Sequence, residues 1–171
     1  MMTTNERFAV EFQTDFLNIF HGFCLFIEND EVNDVKQFLQ LLRKHLLAIY
    51  NSGLMLSPNV IPDDKDYPEQ VLSHELKARM KFISERLVNN RYYWEVFDPA
   101  DNNDNEAVCG DLIDDIEDIY EDIKNSLLLF DLNTEDAKAT AMWQFESQYR
   151  THWGDHCINA LRACHYFLAK K

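Results

Sequence analysis

Two sets of side chains in this sequence have the types and spacings that chemistry needs. The first is an aspartate row in the segment GDLIDDIEDIYEDI, where Asp111, Asp115, Asp118 and Asp122 stand four, three and four residues apart. At about 100° per residue these carboxylates share one shoulder of a helix. The second is His152 and His156, spaced i, i+4, which sets two imidazoles side by side on a helix. A helical bundle can join carboxylates on one helix to imidazoles on another around an ion. The candidate ligands for a divalent cation, Mg²⁺ or Mn²⁺, are therefore Asp115, Asp118, Asp122, His152 and His156. A competing reading needs no ion. The histidines hydrogen-bond to the aspartates and tie two helices together, while Lys77, Arg79, Lys81, Arg86 and Arg91 of the preceding helix neutralise the row. Like charges at these spacings cost roughly 0.2–0.5 kcal/mol per pair, which a neighbouring cation offsets.

An aromatic run, Tyr92-Tyr93-Trp94-Glu95-Val96-Phe97-Asp98-Pro99, lies before the aspartate row. Pro99 pushes Asp98 out of the helical region, so the run reads as a loop. Its rings either seal one end of the bundle or wall a binding surface, since loop aromatics often serve recognition. Trp94, Phe97 and Trp153 thus join the five candidate ligands as candidate binding residues. Other chemistries find no support. The Asp-Asn-Asn-Asp-Asn loop starting at Asp101 is not an EF-hand, because Glu106 stands where Gly is required and Leu112 where the bidentate Glu is required. The Glu that follows the first His of zinc proteases is replaced by Trp153. Phosphate-binding Gly loops, nucleophile elbows and C-x-x-C pairs do not occur.

The elements that must position these groups are helices. Phe8, Phe12, Phe16, Ile19, Phe23 and Phe26 recur at three- and four-residue steps and predict a helix over residues 5–27. A second is predicted over 32–52, ending at Gly53, and a third over 69–90. Ser57 to Pro68 holds three of the four prolines and reads as a connection. The fourth helix is predicted over 106–130. The fifth starts at the N-cap Thr134 and runs to Leu168, with Gly154 able to kink it. The expected fold is all-α, an antiparallel bundle of about five amphipathic helices in a single domain over residues 1–171. Residues 92–168 carry the chemically informative motifs.

Length and composition agree. A chain of 171 residues with 46% hydrophobic and 13% aromatic residues can build one core. Four Gly and four Pro are too few for a turn-rich β fold. Sixteen Lys and Arg against thirty Asp and Glu give a net charge of −14, which argues against nucleic acid and anionic membrane as partners. The charge is local: residues 95–122 hold twelve acids and no Lys or Arg. A basic protein surface is the partner that such a patch would attract. The uncharged run Phe16 to Ile27 is shorter than the ~20 residues needed to span a bilayer. Residues 1–11 are polar and mixed in charge, unlike a signal peptide. A cytoplasmic location is expected, with Cys24, Cys109, Cys157 and Cys164 reduced.

The series YYWEVFDP, GDLIDDIEDIYEDI and WQFESQYRTHWGDHCINALRACH, in this order, resembles the bacterial family called domain of unknown function 5063. The matching residues are Trp94, Phe97, Asp98, Pro99, Asp114, Asp115, Asp118, Tyr120, Asp122, His152, Trp153, Gly154, His156, Leu161 and Arg162. The resemblance implies an all-helical fold and implies no activity. Two function classes follow from the residues. The favoured one is a non-catalytic module that binds or regulates another protein through the aromatic turn and acidic surface. The alternative is a metal-dependent (Mg/Mn) enzyme, such as a small-molecule phosphohydrolase, built on the Asp row and the His-x-x-x-His pair.

Overall fold

In the computed structural model, six helices and a two-stranded hairpin follow one another along the described residues. These are residues 4–29, 34–57, 60–62, 65, 67, 74–96, 100–101, 103 and 106–170; side chains are described from Asp15 in the first helix and from Leu76 in the third. The elements are α1 (Thr4–Asn29), α2 (Val35–Gly53), α3 (His74–Arg86), β1 (Tyr92–Val96), β2 (Ala107–Asp111), α4 (Leu112–Asp131), α5 (Glu135–Thr151) and α6 (Trp153–Ala169). The expected bundle is present, with two corrections to the all-α, five-helix expectation. The aromatic run is a strand rather than a loop, and the expected fifth helix is two helices.

The hairpin has a local cause. Tyr92-Tyr93-Trp94-Glu95-Val96 is rich in aromatic and β-branched residues, which suit a pleated surface better than a helix. It pairs antiparallel with Ala107–Asp111, Trp94 opposite Cys109 and Tyr93 opposite Gly110. Helix α4 therefore begins at Leu112, not at Glu106. Its N-cap is Asp111, whose Oδ1 accepts from the Ile113 amide at 3.0 Å. Arg91 grips the same carboxylate with Nε and Nη2 at 2.5–2.9 Å and reaches the Ser84 hydroxyl at 2.6 Å with Nη1. One guanidinium thus fixes the end of the α3 region, the hairpin and the start of α4 to each other.

The break between α5 and α6 falls at His152, with φ −149° and ψ −87°. Gly154 permits it: a Cβ there would collide with the backbone carbonyl of Tyr149. The α4–α5 turn is made by Asn133, at φ 59°, a conformation Asn tolerates. Thr134 then caps α5 by accepting from the Ala137 amide at 3.2 Å.

Helix α6 packs against α2, α4 and α5, and α1 packs against α2 and α4. Phe16, Phe20, Phe145 and Trp153 form the aromatic centre of the core, ring centroids 4.9–5.9 Å apart. Cys24, Cys157 and Cys164 are buried free thiols and Cys109 is exposed. Burial pushes the Cys24 and Cys164 thiols up to about 12, so they behave as small apolar groups. No helix among the described residues is long and apolar enough to cross a membrane.

Candidate metal centre

The aspartate row and the histidine couple face each other across the α4–α6 interface. Asp115, Asp118 and Asp122 lie on the side of α4 that meets the first turn of α6. His152, at the α5–α6 break, and His156, one turn on, project toward them. His152 Nδ1 is 2.7 Å from Asp122 Oδ2, and His156 Nδ1 is 2.9 Å from Asp115 Oδ1. The two rings are edge to face at 4.9 Å. His156 Nε2 lies 3.3 Å from Asp118 Oδ2. Among the described residues no Lys or Arg pairs with Asp115, Asp118 or Asp122. Of the expected cation seam, the pair Arg91–Asp111 is present at the start of the row; among the described residues it does not extend to Asp115, Asp118 or Asp122, while Arg79 also donates to the Ile27 carbonyl and Arg86 lies over the Phe82 ring.

Asp115 is only 4% exposed. Such a carboxylate needs partners on both oxygens, and it has them. Oδ1 faces His156, and Oδ2 accepts from the Tyr93 hydroxyl at 2.5 Å. As a carboxylate, Asp115 accepts the Tyr93 O–H on Oδ2 and can accept Nδ1–H of His156 on Oδ1. Its hydrogen bond raises the His156 pKa against the opposing effect of burial. Burial raises Asp115 and Asp122, and the bonds from His156 and His152 oppose it. For the coupled pair, the direction that follows from the two accepted bonds is a proton held on His156.

Tyr93 enters because the hairpin lies over this face, and Gly110 makes room for it. A Cβ on Gly110 would stand 2.5 Å from the Tyr93 ring. Glu95 is two residues along β1, on the same face as Tyr93. Its Oε2 is buried and has no hydrogen-bond partner among the described residues. Burial, then the charge of Asp115, raises its pKa, while His156 and Arg162 lie near enough to oppose this. The Tyr93 hydroxyl also lies near Glu95, but the bond its geometry makes is to Asp115.

Asp118, His152 and His156 each offer one ligand atom, all within 4.8 Å of one another. Both Nδ1 atoms are already bound to carboxylates, which leaves each Nε2 to offer. A carboxylate on the far ring nitrogen is how metal-binding histidines are usually oriented. The five expected ligands therefore divide by geometry. Asp118, His152 and His156 converge, while Asp115 and Asp122 hold the two rings. The side chains of the three are 32%, 46% and 26% exposed, so one side opens to solvent.

The other sequence candidates lie elsewhere. Trp153 is fully buried, edge to face with Phe20 and tilted on Tyr149 at 4.9 Å. Trp94 is 69% exposed on the outer face of the hairpin, with Tyr92. Phe97, with Asp98 and Pro99, lies outside the described residues. Tyr93 and Glu95 were not among the sequence candidates. Their i, i+2 spacing marks one face of a strand, a signal that reading the run as a loop conceals.

In sequence, no curated protein matches the chain. In structure, it resembles the crystal structure of protein BF1032 from Bacteroides fragilis, with a TM-score of 0.75 and 20% identity, over 92% of this chain and 95% of that one. At that identity the likeness concerns the fold alone. The family described as domain of unknown function (DUF5063) matches residues 7–170, nearly the whole length. The chain therefore belongs to this family, as the FDP, aspartate and HWG-x-H segments suggested.

Proposed function

We propose that this chain is a helical domain that binds one divalent transition-metal ion between Asp118, His152 and His156. The observation that supports this is the convergence of the three ligand atoms when both Nδ1 atoms are already held by Asp122 and Asp115. Two imidazoles and one carboxylate suit Zn²⁺, Co²⁺, Fe²⁺ or Mn²⁺ better than Mg²⁺, which takes oxygen donors. Three protein donors leave coordination positions open, the pattern of reactive rather than purely structural sites. The metal-dependent alternative drawn from the sequence is thereby favoured over the partner module, with a softer ion than Mg²⁺.

The test is thermal. Protein stripped with EDTA and returned to Zn²⁺ or Co²⁺ at about one hundred times Kd should gain ~2.7 kcal/mol, a Tm rise of roughly 5–10 °C. Mg²⁺ should give no such rise, and Asp118→Asn and His152→Ala should abolish it. A Tm unchanged by every ion, with no stoichiometric metal in the native protein, would overturn the reading.

The module that binds or regulates another protein keeps one observation in its favour. The outer hairpin face exposes Tyr92 and Trp94 beside an acidic segment, a combination suited to a basic partner. On that reading, Trp94→Ala should weaken capture of a Lys/Arg-rich partner at low salt without changing Tm. Equal capture by both proteins would count against it.

A further inference from the structure

Away from the metal ligands, positive charge and apolar surface come together at one place. Helix α3 carries four Lys and Arg against two Glu, in a chain of net charge −14. Two of these cations bracket Phe82: the Arg86 guanidinium lies 3.9 Å from the ring centroid and that of Arg79 lies 5.2 Å from it. Their spacings, three residues before the ring and four after it, put all three groups on one helix face. The ring is nonetheless 39% exposed. Beside it runs an open groove of about 260 Å³ between α3 and the start of α2, lined by Val35, Phe38, Ile83 and Leu87. Arg79 is steered here through its Nε, which donates to the Ile27 carbonyl near the end of α1 at 2.9 Å. Asp34, beside Val35, turns its carboxylate to the Lys36 amide at 2.8 Å as the N-cap of α2. A guanidinium has five donors, enough to receive an anion as well as the partners that both arginines have within the chain.

We propose that this groove binds a small amphipathic carboxylic acid, its carboxylate held by Arg79 and Arg86 and its short apolar chain laid over Phe82 and the groove. Apolar walls with a few placed polar groups are what small-molecule sites consist of. The volume lies below the range of drug-sized ligands, so the chain is short. The head is an anion because a guanidinium grips a carboxylate through parallel N–H···O bonds, which a neutral head cannot match. A free acid fits better than a lipid headgroup, since a net charge of −14 is repelled by an anionic membrane. The site shares no residue with the metal centre or with the aspartates that hold its histidines, and it does not depend on the metal reading.

The test titrates the full chain with octanoate in the presence of EDTA and follows the backbone amide resonances. Octanoate should shift those of Val35, Phe82, Ile83 and Leu87. Octanol should bind about tenfold more weakly or worse, because it forgoes a charge-assisted hydrogen bond. Arg86→Gln should weaken octanoate by about tenfold for the same reason. Lys77→Gln removes an equal charge from an exposed position on the other side of α3 and should leave octanoate binding unchanged. Equal binding of octanol and octanoate would overturn the proposal, and this comparison uses the parent chain alone. Equal octanoate affinity in the parent and Arg86→Gln proteins would also overturn it. So would shifts confined to the outer hairpin face, or none at millimolar octanoate. None of these outcomes bears on the metal centre, because EDTA keeps the ion out of the experiment.

Discussion

At the residue scale, the aspartates of one helix face have three distinct roles, and substitutions should separate them. Asp111 caps α4 and receives Arg91. Asp115 is buried and holds both Tyr93 and His156. Asp118 is part-exposed, 3.3 Å from His156 Nε2 and within 4.8 Å of a His152 ring nitrogen. Asp115→Asn should cost the metal-free protein about 1–3 kcal/mol, because a buried network loses its charged acceptor. It should also weaken metal binding about 10–100-fold, because His156 loses its orienting partner. Asp118→Asn should leave the metal-free Tm nearly unchanged, since it removes repulsion within the row, yet eliminate the metal-induced shift. Melting curves of both variants, with and without Zn²⁺, check this. Equal behaviour would mean that ligand and support have been wrongly assigned.

At the element scale, the site depends on two tight packings at glycine. Gly154→Ala drives a methyl into the Tyr149 carbonyl at the α5–α6 break, so the histidines cannot keep their direction. A loss of at least about 2 kcal/mol, several degrees in Tm, is expected. Gly110→Ala should displace the Tyr93 ring and weaken metal binding more than it lowers Tm; a fall in Tm alone would show the hairpin to be only structural.

The same elements explain what could be read from the sequence. Helical periodicity was sufficient for the apolar faces of α2 and α4 and for placing Asp115, Asp118 and Asp122 on one side, since these depend only on residues three and four apart. The meeting of that side with His152 and His156 depends on how α4 and α6 pack, which residue spacing alone does not determine. Periodicity failed at the hairpin, because the partner strand lies beyond a polar stretch and strand pairing is non-local. At His152 the sequence offered Gly154 as a kink and the helix does break there, although the contact that makes glycine necessary, with the carbonyl of the preceding turn, is not visible in residue types. Trp153, which the sequence offered as a site residue between two histidines, points the opposite way on α6, into the core.

At the scale of the whole molecule, the buried acids give stability a pH dependence. The folded pKa values of Glu95, Asp115, Glu117 and Asp122 are raised, by burial above all. That of His156 is raised by Asp115. A group whose folded pKa exceeds its unfolded value stabilises fully below the unfolded value and loses that contribution as pH rises through the folded one. For His156 the unfolded value is about 6.5. His156 therefore raises the melting temperature of the metal-free protein near pH 6 relative to pH 8, and His45, whose pKa burial lowers, opposes it, so His156→Gln should tilt the profile toward higher Tm at pH 8. Below about pH 4.5 the trend should reverse, as Glu28 and Asp111, held low against burial by Lys124 and by Arg91, become protonated. The Zn²⁺-loaded protein should show the opposite slope between pH 8 and 6, because protons compete with the ion for imidazole. Parallel slopes with and without Zn²⁺ would place the ion away from the histidines.

The most direct measurement is anomalous scattering from a crystal of the Zn²⁺- or Co²⁺-loaded protein at the metal edge. The predicted result is a single strong peak at about 2.0–2.2 Å from a carboxylate oxygen of Asp118 and from Nε2 of His152 and of His156, with both Nδ1–aspartate bonds intact. A map without that peak, or with the ion on the outer acids and the imidazoles bonded only to Asp115 and Asp122, would contradict the assignment.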